Sequence, residues 1–235
     1  ISMKEIACQS LLINEDFSRS DQNIVLSSHI EKLNFSGFPV IRLPDNNILL
    51  ALQALQSLSE NLAVKCLQGA KTSFCYPTVL ECFSNLVIPG RLEEINSAKF
   101  SSTQRVFLDV GHNPHAARYL VTFLAQFKKK GGVINAVYSS LADKDVVALS
   151  EILSPVFDTW FLAPLADERA LDITALETAV GKHAKNMLSF LSLNEALNAA
   201  LTARLDQYSS QSPSVTLVFG SFYVIEAAKA YFEGL

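Results

Sequence analysis

No apolar run in the 235-residue sequence reaches the roughly 18–20 residues that a membrane-spanning helix needs. The start, Ile1-Ser2-Met3-Lys4-Glu5-Ile6-Ala7-Cys8, has no basic region ahead of a continuous apolar one, so it does not read as a signal peptide. Charge is sparse. Asp, Glu, Lys and Arg make up 18% of the chain, against roughly 25% in an average soluble domain. The 19 basic and 23 acidic residues give a net charge of −4, with no basic cluster, which argues against phosphate neutralisation along a nucleic acid as the main task. Cysteine is scarce as well: Cys8, Cys66, Cys75 and Cys82 make no C-x-x-C pair. They read as scattered apolar thiols of a reducing compartment, with three disulfide pairings formally open.

Several motifs are missing too. The G-x-G-x-x-G fingerprint does not occur, because Gly111 stands alone in its turn, and no G-x-x-x-x-G-K-[ST] loop is present to grip a nucleoside triphosphate. H-E-x-x-H, EF-hand and G-x-S-x-G patterns are absent. None of the four histidines is spaced as a ligand pair with a cysteine, so no metal ligand is assigned. What is present is apolar: 49% of residues, which excludes a disordered chain and supplies material for a core. The length fits one large domain or two modest ones. Ile1 cannot be an initiator residue, and the first residues read as the continuation of something longer, so the chain is expected to be a fragment.

The pattern changes near residue 100. Before it come a small β region at 23–28 and 38–43, an apolar helix at 47–58, an unreadable stretch at 65–76, and a helix opened by Pro77 and running through Leu86. Pro89-Gly90 ends that helix, and polar 96–104 reads as a linker. After it, strands at 105–110, 133–138, 159–162, 187–190 and 215–219 alternate with helices at 114–128, 144–156, 173–182, 195–208 and 222–232. Ala116, Ala117, Leu120, Phe123, Leu124 and Phe127 follow a 3.6-residue period. Short apolar strands alternating with amphipathic helices predict an α/β fold: a Rossmann-like, mostly parallel sheet with helices on both faces.

In such a sheet, ligands bind beyond the carboxyl ends of the strands. Phe107-Leu108-Asp109-Val110-Gly111-His112-Asn113-Pro114-His115 is a strand ending in an acid, a glycine turn, then a helix with Asn113 as N-cap and Pro114 at N1. Two readings stand for Asp109: an acceptor for a sugar diol, or a turn cap. His112 is either a ring or phosphate contact or a surface residue. Lys144, in Asp143-Lys144-Asp145, could meet a carboxylate or phosphate, or belong to a solvated helix start in which Asp143 caps. Ser221 after Gly220 reads as the last helix's N-cap. Arg91 is an anion clamp or a surface arginine, and Arg169 has the same two readings. Composition and spacing end there, at an α/β domain with an anion- or nucleotide-facing rim.

Taken in order, these residues resemble the folylpolyglutamate synthase/dihydrofolate synthase family of the muramyl-ligase superfamily, in its C-terminal portion. Leu108-Asp109-Val110-Gly111-His112-Asn113-Pro114 is similar to the family's Asp-x-Ala-His-Asn-Pro segment. Asn47 with its Ala/Leu-rich helix resembles the Asn helix, Ile88-Pro89-Gly90-Arg91 the Leu-Pro-Gly-Arg element, and Leu141-Ala142-Asp143-Lys144-Asp145 the Leu-His-Asp-Lys-Asp turn. Ala163-Pro164-Leu165 with Arg169, and Phe219-Gly220-Ser221-Phe222, follow in order. Gly111 replaces the usual alanine, Ser139 a common glycine, and Ala142 a frequent histidine, while 65–76 resembles an insertion.

The resemblance implies that 1–95 is the end of the central ATPase domain and 100–235 the C-terminal ligase domain, with phosphate loop and magnesium ligands upstream of Ile1. It implies an ADP-forming carboxylate–amine ligase of the cytoplasm, monomeric when full length, that uses ATP and Mg2+ to add L-glutamate to dihydropteroate or a reduced folate. By the same resemblance Asn47 serves the adenine, Arg91 the phosphates, Asp109 and His112 the ribose side, and Lys144 and Ser221 the incoming glutamate. Arg91 and Lys144 are then the catalytic candidates, and this chain alone is inactive. A muramyl-peptide-type amino-acid ligase and a non-catalytic nucleotide-binding or scaffold domain are the alternatives.

Overall fold

Strand and helix alternate from residue 104 onward because short continuous apolar runs, buried on both faces, alternate with stretches whose apolar residues follow a period of 3.6. The computed structural model describes residues 11–20, 22–27, 32–39, 41–65, 76–98, 100–203 and 213–234. It divides into two compact units, Ile1–Val87 and Ile88–Leu235. The polar 96–104 stretch, read above as the linker, lies inside the second unit.

The second unit holds β4 (Glu93–Ile95), β5 (Gln104–Asp109), β6 (Val133–Tyr138), β7 (Thr159–Leu162), β8 (Met187–Ser189) and β9 (Ser214–Phe219). They form one sheet in the order β4-β5-β9-β6-β7-β8, parallel except for β4, which runs antiparallel to β5. Side chains on one strand alternate between two cores, since successive Cβ atoms point to opposite faces. Phe107, Ile134, Tyr138, Trp160, Leu217 and Phe219 pack with the apolar stripes of α3 (Pro114–Lys128), α4 (Val146–Leu153) and α5 (Ile173–Val180). Val106, Leu108, Val137, Phe161 and Val218 pack with α6 (Leu193–Thr202) and α7 (Phe222–Glu233) on the other face. The expected mostly parallel α/β sheet, covered on both faces, is the observed one.

Helix starts follow capping chemistry. Asn113 Oδ1 accepts from Ala116 N at 2.9 Å with Pro114 at N1, as expected. At α4 the cap differs from expectation: Asp145 Oδ1 accepts from Ala148 N at 3.0 Å, so Asp145, rather than Asp143, closes that helix, and the helix is shorter than 144–156. Asp172 and Ser192 cap α5 and α6 in the same way. Residues 204–208 of the expected sixth helix lie outside the described residues.

The first unit carries a three-stranded antiparallel sheet, β1 (Ser18–Ser20), β2 (Asn23–Ser27) and β3 (Lys32–Phe35), with helices α1 (Asp45–Lys65) and α2 (Tyr76–Ser84). The expected strand at 38–43 is a correction. Pairing uses 32–35 instead, because Gly37 at φ 76° turns the chain and Pro39 has no N–H for a ladder. Phe38 is instead a buried anchor, 5.2 Å from the Phe83 ring. Helix α1 begins two residues before Asn47 and buries Ile48, Leu49 and Leu52 on one face, with Leu50, Leu55 and Leu58 exposed. Apolar residues on more than one face of a helix point to burial all round, yet Leu50, Leu55 and Leu58 are open in this chain. Of the stretch 65–76, expected as loop or partial helix, Lys65 ends α1 and Tyr76 opens α2, and 66–75 lie outside the described residues. Among the described residues no helix is long and apolar enough to cross a membrane.

Candidate functional site

Register decides where the turns emerge. Asp109 is level with Phe219, Phe219 with Tyr138, and Tyr138 with Leu162. The turns after β5, β9, β6 and β7 therefore leave the sheet side by side at its carboxyl end. Antiparallel β4 sets Glu93 opposite Leu108, which brings the Gly90-Arg91-Leu92 turn to the same rim. Four of these turns carry Asp109 with His112, Ser221, Lys144 and Arg91, and the 163–172 loop after β7 adds Arg169.

Asp109 sits at the centre, 4% exposed. Its Oδ1 accepts from Gly111 N at 2.7 Å and its Oδ2 from Leu92 N at 2.9 Å. Both carboxylate oxygens thus tie backbone, and the capping reading describes what the side chain does here. Each oxygen keeps a second lone pair for a further donor. Burial pushes the Asp109 carboxyl above the ordinary carboxylate range, opposed by the two backbone bonds, Arg91 and His112. An acid with a raised native pKa stabilises the fold most below its unfolded pKa near 4, and that contribution is lost as pH rises through the native value. The stability advantage of wild type over Asp109→Asn should therefore shrink as pH climbs from about 4. Urea unfolding of both proteins across that window checks it, and an advantage that grows with pH would mean that the backbone donors outweigh burial.

His112, half-buried, turns Nδ1 to Val110 O at 2.9 Å, leaving the other ring nitrogen for the rim. Lys144 pairs with Asp143 at 2.7 Å, and that bond holds the exposed Asp143 carboxyl below its usual range. Ser221 is 5% exposed and its Oγ accepts from Val224 N at 3.3 Å, so it caps α7 while its hydroxyl hydrogen stays available. Arg91 is exposed and its electrostatic field reaches Asp109. Arg169, left open above, belongs to the rim: Arg169 O accepts from Ala142 N at 2.8 Å, and its guanidinium donates to the Tyr223 hydroxyl on α7. Tyr223 had no signal in sequence, being one exposed aromatic in an amphipathic helix. Asn47 is an exposed residue of α1 in the first unit. Burial pushes Tyr138 up to about 12, so it stays protonated below the rim.

A rim with an Asp–Gly–His–Asn turn, a Pro–Gly–Arg turn and an Asp–Lys–Asp turn is a specific combination, and comparison with known proteins identifies it. The model of the family "Mur ligase, glutamate ligase domain" matches residues 90–222. The chain belongs to this family. The matched span starts at the glycine of the Arg91 turn and ends one residue after Ser221, so it takes in the whole rim. The dihydrofolate synthase/folylpolyglutamate synthase of Escherichia coli (strain K12) is 30% identical over 191 residues, 80% of this chain and 38% of that protein. A bifunctional folylpolyglutamate synthase/dihydrofolate synthase from Yersinia pestis, complexed with AMPPNP and Mn, matches with TM-score 0.75 at 25% identity, covering 98% of this chain and 49% of that one. A bifunctional folylpolyglutamate synthase/dihydrofolate synthase with Mn, AMPPNP and L-glutamate bound matches at TM-score 0.74 and 26% identity, covering 98% and 49%. The chain thus spans between about two fifths and one half of these three proteins.

Proposed function

We propose that this chain is the C-terminal part of an ATP-dependent ligase that adds L-glutamate to dihydropteroate or a folate. The observation that carries the proposal is the convergence of Arg91, Asp109, His112, Lys144 and Ser221 on one rim of a glutamate-ligase-family domain. The relatives named above are folate enzymes, which favours a pteroyl acceptor over a muramyl peptide. Residues 88–235 act as the ligase domain and the first unit, with Asn47, as the end of the ATPase domain. In this reading the acceptor carboxylate takes the γ-phosphoryl group of ATP, and the amine of glutamate displaces phosphate from the acyl phosphate.

The residues present fit that division of labour. Arg91 is an exposed cation at the rim that can neutralise phosphate charge, and the start of α3 offers amide donors beside His112. Lys144 carries a second cation, held by Asp143 until a substrate carboxylate competes for it, with Ser221 able to donate alongside. A divalent ion, Mg2+ in this proposal, would supply positive charge against the charge developing on the phosphates. Among the described residues no three His, Cys, Asp or Glu side chains gather to hold one, so its ligands are assigned to the upstream part of the full protein. That part, in the cytoplasm and in the same polypeptide, is the partner this domain needs.

The test compares two proteins. The full-length gene product with ATP, Mg2+, L-glutamate and dihydropteroate or tetrahydrofolate should yield ADP, phosphate and the glutamylated product. The 235-residue chain alone should yield none, because it has no G-x-x-x-x-G-K-[ST] loop to position the triphosphate. Steady product from the chain alone, or its absence from the full-length protein, would overturn the proposal.

A further inference from the structure

The turn that presents Arg91 is fastened more heavily than a surface loop needs. Gly90 O accepts from Val110 N at 2.8 Å, Arg91 N donates to Ile88 O at 3.0 Å, and Leu92 N donates to buried Asp109. Gly90 stands at φ 67°, where a Cβ would lie 2.8 Å from a Val110 methyl. Leu92 holds φ 43°, a left-handed conformation that a bulky side chain rarely adopts. Such a backbone persists only where its surroundings over-determine it, and that condition marks sites whose geometry is used.

The last fastening comes from a residue with no role so far. Glu93 Oε2 accepts from Gly90 N at 2.7 Å, while Glu93 Oε1 pairs with Lys229 Nζ on α7 at 2.8 Å. The Glu93 side chain is 17% exposed and that of Lys229 33%, so the pair is shielded from solvent more than a surface ion pair is. One carboxylate thus connects the turn to the helix that Ser221 caps. Arg91 itself is exposed, so the conformation of its turn does most to aim it.

We infer that Glu93 is a positioning residue for Arg91, with Lys229 holding the Glu93 carboxylate in place, and that the pair sets the affinity of the rim for nucleotide phosphates. This inference rests on the reading of Arg91 given under Proposed function. Glu93 touches no substrate: it fixes the Gly90 amide, the amide fixes the turn, and the turn aims the guanidinium. Glutamine at this position keeps an acceptor for Gly90 N but gives up the Lys229 charge, whereas alanine gives up both.

The experiment uses the full-length protein, reading the dissociation constant for ADP by calorimetry and melting temperature in parallel. Glu93→Ala should weaken ADP binding about tenfold, the size expected for a misaimed charge-assisted contact. Glu93→Gln should recover most of that loss, and Lys229→Met should fall between them. In an Arg91→Ala background the Glu93→Ala change should cost nothing further in ADP binding, because there is no guanidinium left to aim. Hydrogen exchange at the Gly90 amide should rise in Glu93→Ala whatever the ligand does. Additive losses in the double variant, or a lowered melting temperature with unchanged ADP binding, would overturn the role of Glu93 alone. Wild-type protein that binds no ADP would overturn the proposed function, and this role with it.

Discussion

Gly220→Ala should lower the stability of the domain by about 3–5 kcal/mol, near the top of the range for single substitutions. An added Cβ would sit 1.9 Å from the Ser139 carbonyl oxygen and 3.0 Å from a Tyr138 ring carbon. The first of these is backbone one residue past the end of the neighbouring strand β6, so it cannot swing away as a long side chain can. Gly220 also stands at φ 131°, a region left to glycine and worth about 1–3 kcal/mol on its own. For a domain of this size each kcal/mol moves Tm by about 2–4 °C, so a drop of roughly 10 °C or more is expected. Gly131→Ala is the control: φ is 71° but nothing lies within 4 Å of the new Cβ, leaving the conformational cost of about 1 kcal/mol. If Gly220→Ala melts no lower than Gly131→Ala, the close approach of β9 to β6 is not what requires glycine there.

Arg91→Ala in the full-length protein should reduce kcat/KM for ATP about a hundredfold while leaving Tm nearly unchanged. A charge-assisted bond to phosphate is worth roughly 1.5–3 kcal/mol, which converts to about ten- to a hundredfold. The upper end applies because the guanidinium leaves a turn already held by four backbone contacts, so little ordering entropy is lost when it meets an anion. Stability should not follow, since the side chain is exposed. Arg91→Lys should recover only part of the rate, because lysine keeps the charge and loses the planar fork. Unchanged ATP kinetics with Arg91→Ala would return this residue to the ordinary surface.

What could be read from sequence was local. Asn113-Pro114 announces a helix start through cap chemistry and a fixed φ, and the stripe Leu120, Leu124 and Phe127 announces which face is buried. The parallel sheet followed from strand and helix alternating with short turns. Strand β4 was invisible, because three residues with no apolar alternation acquire a ladder only by meeting β5. The same holds for Arg105, whose guanidinium forks onto Glu94 at 2.7 and 2.8 Å and lies 5.0 Å over Phe107. At 38–43 the aromatic and β-branched residues looked like a strand, but Gly37 and Pro39 broke the ladder there.

The rim divides in the same way. Its turns were legible, since each has glycine, acid or cap residues at a strand end. What each side chain does was not. Asp109 ties the Arg91 turn through a bond to Leu92, Glu93 reaches Lys229, and Arg169 reaches Tyr223, all pairings between positions far apart in the chain. The fork between ligand contact and cap, open for Asp109 in sequence, is a question about where two lone pairs point, and only three-dimensional geometry answers the capping half of it.

The strand order carries a consequence for biosynthesis. Strand β9, made after the other strands of its sheet, is inserted between β5 and β6. Until residues 214–219 have left the ribosome, the two central ladders cannot close, and β5 and β6 each keep a row of unpaired amides and carbonyls. Contacts of such long sequence separation form late and slowly. A nascent domain that ends before β9 is therefore two half-sheets with open, apolar edges, the kind of species that self-associates and that chaperones are recruited to cover.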